Sequence, residues 1–214
     1  MAQQDLPSGR RYIEALEANG DFTTALQVCE RMWDLGFPSG RVDAAWIVKD
    51  AGNVGRAIDL MTEALTLLDD EHVPLAEGVI GHWRWHYLND PAAETQLRRG
   101  MHAYGTARAD LAHLLIATGR HAEARSILCE GASQKVVECI LPLARLLEDD
   151  GDRRAAEDLY RHGIELGDGH SAWNLAVLLI EDGRPEEAAR WQWTAAEMGD
   201  ELAIQYLADR DPLG

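Results

Sequence analysis

The chain has 214 residues, of which 46% are hydrophobic and 27% charged, so it carries ordinary globular composition and disorder over most of its length is excluded. Thirty-seven acidic against twenty basic side chains leave a formal charge of −17, which repels phosphate backbones and anionic lipid heads; nucleic acid and membrane surfaces are therefore not expected partners. No run approaches the roughly 18 apolar residues of a membrane span, and the start, Met-Ala-Gln-Gln-Asp-Leu-Pro, lacks a basic stretch followed by an apolar one, so a cytoplasmic location is expected. Three cysteines, Cys29, Cys129 and Cys139, are odd in number and lack C-x-x-C spacing; they are expected to be reduced, small and buried. Basic charge is almost wholly arginine and alanine is plentiful, which points to a GC-rich, bacterial genome. Tryptophan is in excess, with seven Trp against two Phe, and Trp is a preferred anchor of binding surfaces.

Residues 1–9 read as an N-terminal tail. Residues 10–68 then read as two helical repeats, with Gly20-Asp21 and Gly52-Asn53 each pairing a helix stop with an N-cap acceptor. Ala25 and Ala57 share the 32-residue offset of those glycines, and Pro-Ser-Gly-Arg occurs at 7–10 and 38–41. Residues 69–106 read as a diverged repeat. Its extra residues lie near Asp69 to Pro74 as a longer loop, Ile80-Gly81 stands at the contact position, and Asn89-Asp90-Pro91 forms the turn.

Residues 107–199 hold three repeats in strict register. Leu111, Leu143, Leu175 and Leu207 are spaced by 32, as are Ala112, Ala144, Ala176 and Ala208. The same offset links Leu115, Leu147 and Leu179, then Gly119, Gly151 and Gly183, then Ala124, Ala156 and Ala188. Apolar spacings of three and four around each glycine stop describe two antiparallel helices per unit, and period-two runs are nearly absent. Alanine in the contact columns lets two helix backbones approach while leucines fill the remaining groove. Pro142 must sit in the first turn of its helix or kink it. Residues 200–214 read as a capping helix and tail. One pair cannot close a core, whereas stacked pairs can, so the expected fold is an all-α right-handed α-solenoid of about six antiparallel helix pairs with a C-terminal capping helix.

The stretch Ala188-Ala-Arg-Trp-Gln-Trp-Thr-Ala-Ala-Glu-Met-Gly-Asp200 resembles the second-helix signature A-x-x-W-Y-x-x-A-A-E-x-G-D of the Sel-one-like branch of the tetratricopeptide repeat superfamily. The resemblance is clearest over 107–210, and departs from the family in its 32-residue period and in the Leu or Ile at most aromatic positions. It implies scaffolding and peptide or protein binding on a concave surface, with no catalytic residues. If the units stack as in that superfamily, the first helices line the groove. Their stripes would be Arg10, Glu14 and Glu17; Val42, Trp46 and Lys49; Gly78, His82 and Trp85; Ala109, His113 and Ile116; Leu141, Arg145 and Glu148; and Trp173, Val177 and Ile180.

Of these, Trp46, His82, Trp85, His113, Trp173 and Val177 would anchor apolar side chains, while Lys49, Arg145 and Glu148 fix polarity. The same aromatics would equally serve packing within the array or contacts between identical subunits. In the second helix, Trp191 reads as core and Trp193 as an open contact. The acidic field favours basic partners.

Chemical motifs are weak. His82 and His86 share a helix face, yet no H-E-x-x-H pattern accompanies them, so no metal is expected. Gly167-Asp168-Gly169 lacks the strand and G-K-[ST] of a phosphate loop and reads as a turn between units. Glu148, Asp149 and Asp150 run into a glycine stop as a solvated helix end. No cofactor is expected. The reading is a non-catalytic adaptor for a protein segment; the alternatives are a self-assembling repeat protein, a helical enzyme or a peptide-sensing regulator.

Overall fold

The structure is a computed structural model and describes residues 6–210. Those residues contain thirteen α-helices, two short 3-10 turns and no strand. They divide into two compact units, 1–107 and 108–214. The first contains α1 (Leu6–Ala18), α2 (Phe22–Asp34), α3 (Ser39–Asp50), α4 (Val54–Ala64), α5 (Val73–Leu88) and α6 (Glu94–Gly100). Helix α7 (Gly105–Ala117) starts at the boundary, and the second unit continues with α8 (His121–Ser133), α9 (Ile140–Asp149), α10 (Arg153–Glu165), α11 (Gly169–Glu181), α12 (Pro185–Glu197) and α13 (Glu201–Ala208). Helix α1 begins at Leu6, inside the stretch read as a tail; the rest of that tail, and the one after α13, lie outside the described residues.

The turn grammar explains why helices stop at one column. Gly20, Gly52, Gly119, Gly151 and Gly183 all have φ between 73° and 86°, the left-handed region that costs glycine nothing. The residue after each glycine donates its N–H back into the finished helix, as in Asp21 to Leu16 (2.9 Å), Asp152 to Leu147 (2.8 Å) and Arg184 to Leu179 (2.8 Å). Where that residue is Asp or Asn, its side chain then caps the next helix: Asp21 accepts from the Thr24 N–H, Asn53 from Arg56 and Asp152 from Ala155. At the diverged repeat Asn89 takes the glycine's place with φ 51°. Pro142 lies in the first turn of α9, where no helical hydrogen bond is lost.

Packing follows the predicted columns. Ala112, Ala144 and Ala176 are fully buried, as are Ala25, Ala57, Ala124, Ala156 and Ala188. Ala208, the last of its column, is exposed, because no further helix among the described residues covers it. Between repeats of the second unit a small residue meets a small residue: Gly131 of α8 faces Cys139, and Gly163 of α10 faces Ser171 of α11. An added Cβ at either glycine would fall inside its neighbour. In the first unit Gly40 of α3 packs against the α2 backbone at Cys29 and Trp33, and within the diverged repeat Gly78 of α5 packs on Gly100 of α6, where a Cβ on Gly78 would lie 3.2 Å from the Gly100 Cα.

Each unit has its own core. Ile13, Cys29, Ala45, Met61, Ile80 and Trp83 belong to that of the first, and Tyr160, Leu175, Ala176, Leu178 and Leu179 to one cluster of the second. Ion pairs lock the outer surfaces. Arg41, almost fully buried, bonds Glu30 of α2 at 2.5 Å and Glu63 of α4 at 2.6 Å while lying over the Trp33 ring. In the second unit Glu157 accepts from Arg161 and Arg184, Glu187 accepts from both as well, and Arg161 covers Trp191.

Two cysteine thiols are buried as expected, and burial pushes Cys29 up to about 12 and Cys139 up to about 11. Cys129 departs from the expectation: it is exposed, because it sits on the solvent side of α8 rather than in a packing column.

Candidate functional site

The first helices α1, α3 and α5 bring a set of exposed groups to one face of the first unit. Trp46 on α3 is 37% exposed, although α3 is otherwise lined with Ala44, Ala45 and Ile47 facing the core. Its indole stands edge-on to the buried Trp83 of α5 with ring centroids 4.9 Å apart, so the exposed ring rests on a fixed one. The Lys49 ammonium lies 5.2 Å from the Trp46 centroid and pairs with Asp50. Lys49 is thereby half-buried, and its charge is already partnered.

Trp46 borders two hollows. One, of about 210 Å³, is lined by Val42, Met61, Leu68, Leu75, Ala76 and Val79, with Tyr104 and His72 completing it. The other, of about 190 Å³, is lined by Arg10, Ile13, Glu14 and Glu17 of α1 with Asp43 and Trp46 of α3. Loss of solvation raises the Asp43 carboxyl above the ordinary aspartate range; Glu17 and Glu14 add to this and Arg10 opposes it. Its Oδ2 is buried and has no hydrogen-bond partner.

His82 and Trp85 behave differently from Trp46. His82 is half-buried and stacks on His86 at 5.2 Å, with the Tyr87 and Tyr104 rings edge-on at 6.1 Å. The pair is an aromatic contact, and no cluster of three or more metal-ligating side chains occurs among the described residues. Trp85 is half-buried. Gly78, placed on the free stripe by periodicity, is buried because Gly100 of α6 packs on it.

In the second unit the stripe is divided. His113 and Arg145 are exposed, as are Val177 at 39% and Ile180 at 45%. Loss of solvation lowers the His113 imidazole below its usual range, helped by the Arg145 charge and opposed by Asp110. Ala109 is buried. Glu148 is not a free groove carboxylate: it accepts a hydrogen bond from the hydroxyl of the buried Tyr160, and burial together with that carboxylate pushes the phenol's pKa upward. Trp173 is likewise engaged, half-buried and edge-on to Tyr206 of α13 at 5.4 Å. On α12, Trp191 is partly buried against the core, whereas Trp193 is 61% exposed.

Sequence reading missed Arg41, read only as part of a repeated tetrapeptide, and the support that Trp83 gives Trp46. The periodicity held a signal for Trp83: it lies two residues from Trp85, so about 200° separates them on a helix and only one can face inward.

These hairpins and their left-handed stops define an all-α helical-repeat protein. Comparison with known proteins agrees. A tetratricopeptide repeat family model matches residues 105–128 and 169–191. The structure resembles a Sel1 repeat protein from Oxalobacter formigenes, with TM-score 0.68, 18% identity and coverage of 93% of this chain and 88% of that one. It also resembles PilW, a type IV pilus biogenesis factor, with TM-score 0.66, 15% identity and coverage of 97% and 100%. A third is YrrB, a TPR protein with an unusual peptide-binding site, at TM-score 0.50, 16% identity and coverage of 88% and 97%. No curated protein matches the sequence significantly. The fold is that of the tetratricopeptide and Sel1-like repeat superfamily.

Proposed function

We propose that this chain is a non-catalytic, cytoplasmic adaptor whose first-helix faces hold a segment of a partner protein. The observation that carries the reading is the Trp46 face: a large aromatic ring open to solvent, fixed from behind by Trp83 and flanked by two hollows. A rigid aromatic held in this way gives contact area without losing side-chain freedom on binding, which is what an interface anchor requires. Val177 and Ile180 supply a second apolar stripe on α11, and His113 on α7 and Arg145 on α9 are exposed as well. Proteins of this repeat class act as protein-binding scaffolds, and one structural relative is described by its peptide-binding site.

A Trp46→Ala, Val177→Asp double variant tests the reading in a pull-down from native lysate, after circular dichroism shows equal helicity. A protein retained by the wild type and lost by the variant supports it; equal retention by both defeats it. The exposed Trp193 favours one competing reading, self-assembly of the chain. Light scattering separates the two, since self-assembly requires a mass that rises with concentration and falls in Trp193→Ala.

A further inference from the structure

In the second unit a first helix is covered along one side by the second helix that follows it. Ile140 and Ala144 of α9 are buried against α10, and Ala172, Leu175 and Ala176 of α11 are 0% exposed against α12, whose Ala188 and Ala195 share those contacts. The positions of Ala172, Leu175 and Ala176 return 32 residues later in α13 as Ile204, Leu207 and Ala208. There the same side is open: Ile204 is 48% exposed, Ala208 is exposed and Leu207 is half-buried. Helix α12 adds a second set. On α10, Glu157 and Arg161 seat the next second helix through Arg184 to Glu157 at 2.8 Å and Arg161 to Glu187 at 2.9 Å. Their counterparts 32 residues later on α12 are Ala189 and Trp193, both exposed, so a methyl group and an indole stand where the ionic lock stood.

We infer that α12 and α13 bind an amphipathic helix of another protein, seated on α13 as α12 is seated on α11. The occupant follows from the repeat, because the interface it completes continues the one that α10 and α12 already make within this unit. It carries a small residue at the position of Ala188, since alanine there lets the two helix backbones approach. At the positions of Arg184 and Glu187 it carries apolar residues, because Ala189 and Trp193 offer no partner to those charges and gain from apolar cover. This surface lies in the other unit from Trp46 and does not depend on how the Trp46 face is used.

The test is a titration of the isotope-labelled full chain with the unlabelled peptide Leu-Pro-Glu-Leu-Ala-Ala-Arg-Trp-Gln-Trp-Thr-Ala-Ala-Glu-Met, which is the sequence of residues 184–198 with Arg184→Leu and Glu187→Leu. Binding is followed by NMR at the Trp193 indole N–H of the chain, assigned by its loss in Trp193→Phe. The peptide should shift that resonance and bind about tenfold more tightly than the unsubstituted 184–198 sequence. Adding Ala188→Arg to the peptide should abolish the shift. In the chain, Ala208→Arg alters an exposed position and should weaken binding about tenfold, whereas Trp46→Ala should leave it unchanged.

An unshifted Trp193 indole overturns the inference, as does binding that Ala208→Arg leaves intact. Equal binding of the substituted and unsubstituted peptides also overturns it, because Ala189 and Trp193 would then select nothing. Light scattering supplies the remaining outcome. A wild-type mass that rises with concentration, and a constant one in Ala208→Arg, would mean that a second copy of the chain covers this side, and the inference of a foreign helix falls.

Discussion

The two units are built from the same hairpin and use it differently. In residues 108–214 the repeat never slips: Leu143, Ala144 and Ala156 recur 32 residues later as Leu175, Ala176 and Ala188, and small residues meet at Gly131–Cys139 and Gly163–Ser171. Each copy therefore fits the next with the same contacts. In residues 1–107 the spacing changes after α4, where a longer loop leads into α5, and the α5–α6 hairpin itself closes through Gly78 on Gly100. That irregular unit holds the hollow with aliphatic walls and the exposed Trp46. A hollow of the regular unit, of about 450 Å³ and lined by Ile116, His121, Arg125, Leu146 and Asp149, mixes charged with apolar walls, whereas the departure from strict spacing leaves one with almost only apolar walls beside Trp46.

The largest effect that can break this comparison is on Trp83. Trp83→Ala empties the support beneath Trp46 and should destabilise the protein by about 3–5 kcal/mol. Trp46→Ala should cost less than about 1.5 kcal/mol because much of the ring is already in water. Similar losses for the two in urea unfolding would contradict the division into support and anchor.

The regular unit predicts intolerance of added volume. Ala144→Leu and Gly163→Ala should each lose roughly 1–3 kcal/mol, the first by crowding a fully buried contact and the second by driving a Cβ into Ser171. A neutral result in chemical denaturation would mean that these columns are not the packing contacts between repeats.

A smaller change of opposite sign is expected at Lys135. It adopts φ 61° where Gly167 and Gly199, one and two repeats later, have φ 94° and 88°. Lys135→Gly should therefore stabilise by about 0.5–1 kcal/mol, visible as a higher melting temperature, because a side chain is strained in the left-handed region.

The smallest effect depends on pH and belongs to the irregular unit. Asp43 titrates above the ordinary aspartate range when folded, so within the window between its unfolded and folded values the native state holds the extra proton and stability falls as pH rises. The cost is complete above that window and absent below it. Asp43→Asn should accordingly raise the melting temperature at neutral pH and lose that advantage below the usual aspartate range. A wild type and variant that differ equally at all pH values would show that the Asp43 charge is not the source.

The fold was legible because its positions demand particular residue types. A left-handed helix stop selects glycine, the following N-cap selects Asp or Asn, and a close helix contact selects alanine, so these columns show directly as repeated letters. For Pro142 the sequence left two places, the first turn of its helix or a kink, and it lies in the first turn. The site was only partly legible. Periodicity put Trp46, Val177 and Ile180 on an outward face, where they are, but it treated Trp173 and Glu148 as equally free. Nothing in their own helices announces Tyr206 or Tyr160, which arrive from other helices and engage them.

The sequence alone thus determined the all-α repeat, its 32-residue period, the turn positions and the acidic character, since each follows from local geometry or from a sum over the chain. Tertiary structure decided which side chains of one stripe remain available. It set Trp83 behind Trp46, joined Arg41 to Glu30 and Glu63 across three helices, and left the Asp43 oxygen without a partner. Those outcomes depend on which groups from separate helices come within contact distance, and one-dimensional spacing carries no record of that.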